Sequence, residues 1–255
     1  MPTALVTGGT SGIGAAFARQ LAARGDDLVL VARDAARLES SAAELRATYG
    51  VDVEVLPADL ADRDQVLRVA DRLADASRPV DLLVNNAGFG VHHRLTDPDP
   101  GPHEHALDVM VTAVLLLGGA AGRSMRERGH GAIVNVASTA GYMAMGSYSA
   151  IKAWAMTYSE SLAVELAGTG VTVTALAPGW VRTEFHERAA IRTSSIPDVL
   201  WLEADALVAE CLEDVAKGKV VSIPSKRYRA LMWAVRHAPR SAVRAASRRL
   251  SSSRH

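Results

Sequence analysis

The sequence predicts an α/β fold, a doubly wound parallel sheet of about seven strands with helices on both faces. Three observations predict it. Short apolar, β-branched runs recur along the chain, and longer stretches of helical periodicity separate them. The third is size: 255 residues, 49% hydrophobic, can bury one substantial core.

The strands are expected at residues 4–7, 27–32, 53–57, 82–85, 132–137, 171–176 and 220–223. Their runs are apolar without strict alternation, as in strands covered on both faces. Helical periodicity occupies 14–24, 36–49, 65–75 and 153–166. Right-handed crossovers then open the sheet and place a ligand at the carboxyl ends of its strands. No Pro/Gly/Ser-rich or charge-rich linker divides the chain, so residues 1–225 are expected as one domain and 226–255 as a basic amphipathic extension.

Cys211 is the only cysteine, which rules out an intramolecular disulfide and suits a reducing cytoplasm. Met1 and Pro2 run straight into Ala4-Leu5-Val6, so no secretory leader is expected. The longest apolar stretch, 109–122, is shorter than the roughly 20 residues of a membrane span. The net charge of zero conceals an asymmetry: residues 217–255 hold 11 Lys and Arg and no acidic side chain. The preceding 216 residues carry 17 basic side chains against 28 acidic ones.

The first strand leads into Thr7-Gly8-Gly9-Thr10-Ser11-Gly12-Ile13-Gly14 and then a helix. Glycines let the backbone turn tightly and approach a pyrophosphate, whose charge a helix N-terminus stabilises. The spacing is not G-x-G-x-x-G. It matches the T-G-x-x-x-G-x-G pattern of the short-chain dehydrogenases/reductases, which the chain resembles over about residues 3–225. Asp59-Leu60 resembles that family's adenine-contacting pair. Asn85-Asn86-Ala87-Gly88 matches its N-N-A-G motif beside the cofactor, and Pro178-Gly179-Trp180-Val181-Arg182-Thr183 matches P-G-x-x-x-T. The resemblance implies a Rossmann fold and a dinucleotide cofactor, with Val181 beside it and Thr183 contacting the nicotinamide carboxamide. The second strand ends in Ala32-Arg33 instead of the acidic residue an NAD site needs. Arg33 offers a planar cation to a 2′-phosphate, so NADP(H) is expected and NAD(H) disfavoured.

Tyr148 and Lys152 stand four residues apart, on one face of a helix. With five Tyr and four Lys in the chain, chance predicts about 0.08 such pairs. A cation lowers a neighbouring phenol's pKa by roughly 1–3 units, toward the range useful for acid–base chemistry. By resemblance Tyr148 is the catalytic acid, Lys152 also binds the nicotinamide ribose, and Ser138 hydrogen-bonds the substrate oxygen. Thr139 is the weaker candidate, since alternation turns it away. The implied reaction is hydride transfer between NADP(H) and a carbonyl or secondary alcohol, here a hydrophobic ketone or aldehyde. Relatives are commonly homodimers or homotetramers.

Two departures stand out. Ser138 and Tyr148 are ten residues apart, about three fewer than the family spacing, so the intervening loop is shorter. Where relatives read D-V-N-V-T-A this chain reads Asp108-Val109-Met110-Val111-Thr112-Ala113, and Met110 cannot replace the Asn that supports a proton relay to the Lys. That substitution motivates the alternative reading, a catalytically impaired NADP(H)-binding regulatory or interaction protein.

His92, His93, His103 and His105 have no clear metal-ligand spacing and read as solvated loop histidines, so no metal is expected. Trp180, Phe185, Trp201 and Leu202 lie where relatives carry a substrate lid. In the extension, Tyr228, Leu231, Met232 and Val235 form an apolar stripe among Lys226, Arg227, Arg229 and Arg236, and Arg240, Arg244 and Arg248 recur at i+4 beyond Pro239. Such a basic helix packs on its domain with a solvated face, or contacts anionic membrane or an acyl carrier. Nucleic acid is not expected, because no recognition motif accompanies the charge.

Overall fold

The computed structural model describes residues 1–91, 93–183 and 197–252, with side chains to 248. Seven parallel strands form one sheet: β1 (Thr3–Thr7), β2 (Asp27–Ala32), β3 (Val53–Pro57), β4 (Leu82–Asn85), β5 (Gly131–Val136), β6 (Val171–Leu176) and, after a separate short pair β7 (Trp180–Arg182) and β8 (Trp201–Glu203), β9 (Val221–Ser222). Their order is β3-β2-β1-β4-β5-β6-β9. The order reverses at β1, with β2 on one side and β4 on the other, and this is where a doubly wound sheet opens a ligand crevice.

Alternate residues of each strand feed two cores. Leu5, Leu83 and Ile133 face α3 (Arg63–Ala74), α5 (Ala113–Arg128) and α6 (Gly146–Glu165), meeting Val69, Leu117 and Leu162. Val6, Leu30 and Val134 face the opposite layer of α1 (Gly12–Ala23), α2 (Ala35–Tyr49) and α7 (Ala204–Ala216), meeting Phe17, Leu38 and Val208. Local chemistry fixes the helix ends. Asp34 caps α2 by accepting the Arg37 N–H, and Gly50 ends that helix in the left-handed region at φ 69°. The Asp62 carboxylate caps α3, accepting the N–H groups of Asp64 and Gln65.

Several boundaries differ from the sequence reading. α1 begins at Gly12, two residues early, and Gly12 itself takes the left-handed region at φ +55° as the glycine turn passes into the helix. α6 begins seven residues before the expected 153, so Tyr148 lies in its first turn; the weak helix formers Gly146, Ser147 and Ser149 masked that start. Helical backbone also runs over 101–128, as α4 (Gly101–Leu107), a π-helical turn (Asp108–Thr112) and α5. That run is longer than the apolar stretch and is long and apolar enough to cross a bilayer by length and composition alone, but half of its most apolar 18 residues is buried in the protein. A small parallel pair, β7 (Trp180–Arg182) with β8 (Trp201–Glu203), was not anticipated. Strands of three residues are too short to leave a periodic signal.

Beneath the sheet's carboxyl edge runs a buried polar chain. Asn85 Nδ2 donates to Asn135 Oδ1 at 2.9 Å, Asn135 Nδ2 donates to Ser159 Oγ at 2.9 Å, and Ser159 Oγ donates to the Ala155 carbonyl at 2.7 Å. It ties β4 through β5 to α6. Asn135→Ala strands the amide of Asn85 inside the core, and a buried group left unpaired costs about 1–3 kcal/mol. Urea titration of this variant is expected to show that loss at an unchanged denaturant slope.

Candidate active site

The glycine turn after β1 is built by close backbone approach. Gly8 takes φ +65°, and its N–H donates to the Val31 carbonyl at 2.8 Å, tying the turn to β2. A Cβ on Gly14 would sit 2.2 Å from the Gly8 carbonyl oxygen and 2.4 Å from Asn86 Nδ2, so no other residue fits there. Asn86 Nδ2 in turn donates to the carbonyls of Thr7 and Gly8 at 2.9 and 3.2 Å. Thr7 Oγ1 accepts the N–H groups of Asn86 and Ala87, so the turn and the β4 terminus form one unit. Thr10 and Ser11 complete the turn, Ser11 stands at the N-cap of α1, and Ile13 packs into the core behind it.

Around this turn the structure collects the other predicted cofactor residues. Arg33 is exposed immediately beyond β2. Asp59 follows β3, its carboxylate accepting the Ala61 N–H at 3.0 Å and its N–H donating to Gln65 Oε1, while Leu60 is buried. Across the cleft Thr183 Cβ comes within 3.3 Å of where a Gly12 Cβ would lie, and Val181 is buried beneath it. The Pro178 carbonyl accepts from both the N–H and the hydroxyl of Thr139, which fixes the loop after β6 to the end of β5. The cleft therefore suits an extended dinucleotide: a cradle no Cβ can enter, a helix N-terminus over it, and a cation at the far ribose end.

The chemical end lies on α6 and β5. Lys152 is 6% exposed, and its ammonium donates to the Val136 carbonyl at 2.7 Å. Its Nζ stands 5.6 Å from the centre of the Tyr148 ring. Ser138 lies two residues beyond that carbonyl, and its Oγ accepts the Ala140 N–H at 3.1 Å as it caps a 3-10 turn (Thr139–Tyr142). Met110 is 2% exposed in the π-helical turn. A Cβ on Gly88 would meet Met110 Sδ at 3.0 Å and Lys152 Nζ at 3.7 Å, so sulfur, Gly88 and ammonium share one small space. Met110 thus closes the site beside Lys152 with an apolar wall and leaves the ammonium bonded to β5. π-Helical turns of this kind frequently occur at functional sites.

The shortened loop is braced from two sides, by His103, which reads in the sequence as a solvated loop histidine but is helical and twice hydrogen-bonded, and by Ser247, which the sequence reading does not single out. His103, on α4, bonds through Nε2 to the Arg94 carbonyl at 3.0 Å and through Nδ1 to Ser147 Oγ at 2.7 Å. Because a carbonyl only accepts, Nε2 carries the hydrogen and Ser147 donates to Nδ1. On the other side the Ala144 N–H donates to Ser247 Oγ at 3.0 Å, on α9 (Arg240–Ser252). Tyr228, on α8 (Lys226–His237), fills the space over Gly179, accepts the Trp180 N–H at 3.0 Å and donates to the Leu200 carbonyl at 2.8 Å. One His among neighbouring histidines and a Ser on a basic helix leave no motif to read. His93 pairs with Asp97 at 3.6 Å and His105 stacks on Phe89. His92 and Phe185 lie outside the described residues.

Burial pushes the Lys152 ammonium from 10.5 down to about 8. Burial disfavours the charged form, so the folded chain holds this proton more weakly than the unfolded one. The destabilisation is fully present below about pH 8 and is relieved as pH rises toward 10.5. Lys152→Met removes it. Paired urea titrations of the cofactor-free chain and this variant at about pH 7 and about pH 10 are expected to differ by about 2.5 kcal/mol in how stability changes with pH, the lysine chain gaining on alkalinisation.

Comparison with known proteins places these features in one family. The family model described as short chain dehydrogenase matches residues 2–192. Galactitol 2-dehydrogenase (L-tagatose-forming) of Cereibacter sphaeroides is 39% identical over 186 residues, 71% of this chain and 72% of its own. A short-chain dehydrogenase from Sphingobium yanoikuyae, solved in complex with NADPH, aligns with a TM-score of 0.84 at 37% identity, covering 92% of this chain and 94% of that one. The bulky-bulky ketone specific alcohol dehydrogenase of Comamonas testosteroni aligns at 0.80 and 31% identity, covering 92% of each. The chain belongs to the short-chain dehydrogenase family of oxidoreductases.

Proposed function

We propose that this chain transfers a hydride between NADP(H) and a carbonyl or secondary alcohol, with an apolar ketone or aldehyde as the oxidised substrate. The observation that carries the reading is the buried Lys152 ammonium, held on β5 and set 5.6 Å from the Tyr148 ring at the open end of the glycine cleft. Bound there, the cofactor supplies or accepts the hydride.

The protein's own groups handle binding and the proton. The main chain of residues 8–14 and the N-terminus of α1 bind the pyrophosphate, and Arg33 pairs with the 2′-phosphate. Asp59, Leu60, Asn86, Ala87 and Gly88 line the adenosine and sheet side, while Pro178, Gly179, Val181 and Thr183 hold the nicotinamide side. Ser138 donates its hydroxyl hydrogen to the carbonyl oxygen. Tyr148 Oη gives that oxygen its proton in reduction and takes it back in oxidation. Lys152 favours the phenolate by its charge and hydrogen-bonds the ribose.

Cofactor choice draws support from Arg33 and from the NADPH-bound Sphingobium relative. Substrate class draws support from the ketone-specific Comamonas relative and from Trp180 and Trp201, whose rings lie 6.1 Å apart beside the cleft. Leu107, Leu115 and Val164 are exposed on α4, α5 and α6 and are apolar positions that a homodimer or homotetramer would cover. The buried lone Cys211 suits a cytoplasmic location. The non-catalytic reading rested on Met110; catalysis draws its support instead from the relatives, which are named as dehydrogenases and reductases.

Tyr148→Phe is expected to lower kcat by about 10²–10⁴ while NADPH still binds, as measured by NADPH oxidation over a panel of ketones and by fluorescence titration. Cofactor release together with activity loss would instead mark Tyr148 as structural. Arg33→Ala is expected to cut the preference for NADPH over NADH by about ten- to a hundredfold, from loss of a charge-assisted contact; unchanged preference counts against the 2′-phosphate assignment.

A further inference from the structure

The C-terminal helix pair does more than brace the loop. On α8 the inner face is Tyr228 and Met232, both buried. The opposite face carries Lys226, Trp233 and His237 at i, i+7 and i+11, with Arg229 and Arg236 beside them. Trp233 is 65% exposed. Leu231, expected in the inward stripe, is 46% exposed as well. Ile223, Arg229, Trp233, Arg236 and His237 surround a shallow pocket of about 380 Å³. On α9, Val243 and Ser247 turn inward, while Arg240, Arg244 and Arg248 form an exposed stripe at i, i+4 and i+8.

Three other cations of the pair are occupied. Arg229 pairs with Glu210, Arg227 bonds the Val199 carbonyl, and Arg236 lies 6.0 Å over the Tyr142 ring. Arg240, Arg244 and Arg248 meet no carboxylate among the described residues, and no acidic residue follows Asp214 in the sequence.

We propose that α8 and α9 dock on an anionic phospholipid surface, with Trp233 at the headgroup level and the arginine stripe of α9 against the lipid phosphates. The charge is complementary, and Trp233, its ring centre 4.5 Å from that of His237, is the apolar anchor such a surface takes. Trp concentrates at the interface between lipid and water, where its ring is apolar and its N–H stays wet. An acidic carrier protein would engage the same arginines, and its capture without vesicle binding is the outcome that separates it from lipid. A second copy would bring the same cations face to face across a two-fold axis. The docking face belongs to the helices that hold Ala144 and Trp180, so a lipid-bound chain keeps the substrate side of its cleft next to the membrane.

The test is co-sedimentation of the full chain with vesicles of phosphatidylcholine alone or with about one third phosphatidylglycerol. Binding is expected only to the anionic vesicles, falling as NaCl rises. Arg240→Gln, Arg244→Gln and Arg248→Gln together are expected to lower the partition coefficient about a hundredfold, from about 1 kcal/mol per cation. Trp233→Ala is expected to weaken binding while preserving its dependence on salt. NADPH titration and circular dichroism of each variant confirm that it is folded. Equal, negligible binding to both vesicle types overturns the proposal, as does binding that the triple variant leaves unchanged. Capture of an acidic acyl carrier protein without vesicle binding also overturns it, and so does a shift from oligomer to monomer in the Trp233 variant without vesicle binding.

Discussion

A charge taken out of water organises this protein's chemistry. The Lys152 ammonium is 6% exposed, and in the protein it is bonded to one backbone oxygen, the Val136 carbonyl. That bond requires β5 and the first turns of α6 to approach closely, and the chain from Asn85 through Asn135 to Ser159 holds them at that distance. It also requires a small residue above the ammonium, which Gly88 supplies where Met110 crowds in. Burial already pulls the lysine proton down to about 8, well below that of a lysine in water. Tyr148 occupies the first turn of the same helix and cannot move relative to Lys152 unless α6 does.

Elements that bury a periodic apolar face were legible in the sequence, as were motifs in which a single residue type is compulsory. The strands of the central sheet fall close to their expected places because each is apolar on both faces. The glycine turn was legible because the Gly8–Gly14 contact leaves no room for a side chain. The start of α6 was hidden by Gly146 and Ser147, whose helical state comes from tertiary contact through His103 and from no propensity of their own. The three-residue strands β7 and β8 arise from chain path and carry no pattern of their own.

The short loop after Ser138 shows how a local loss is offset at a distance. With the 3-10 turn ending at Tyr142 and α6 starting at Gly146, few residues remain to wall the substrate side. The wall is completed by groups from far along the chain: His103 on one flank, Ser247 and Tyr228 on the other. The C-terminal helices are therefore part of the site's frame, even though the motifs that carry the family resemblance end before them. A change in α9 that frees Ala144 acts on the cleft without touching a catalytic group.

The most direct measurement of the central chemistry follows the hydride itself. The chain is incubated with an apolar ketone and NADPH deuterated at either face of nicotinamide C4, and the alcohol is analysed by mass spectrometry. Hydride transfer from a cofactor fixed in one orientation by this cleft predicts deuterium on the carbinol carbon from one of the two stereoisomers and none from the other. Absence of labelled alcohol from both, with NADPH demonstrably bound, would contradict the assignment of Tyr148 and Lys152 to carbonyl chemistry.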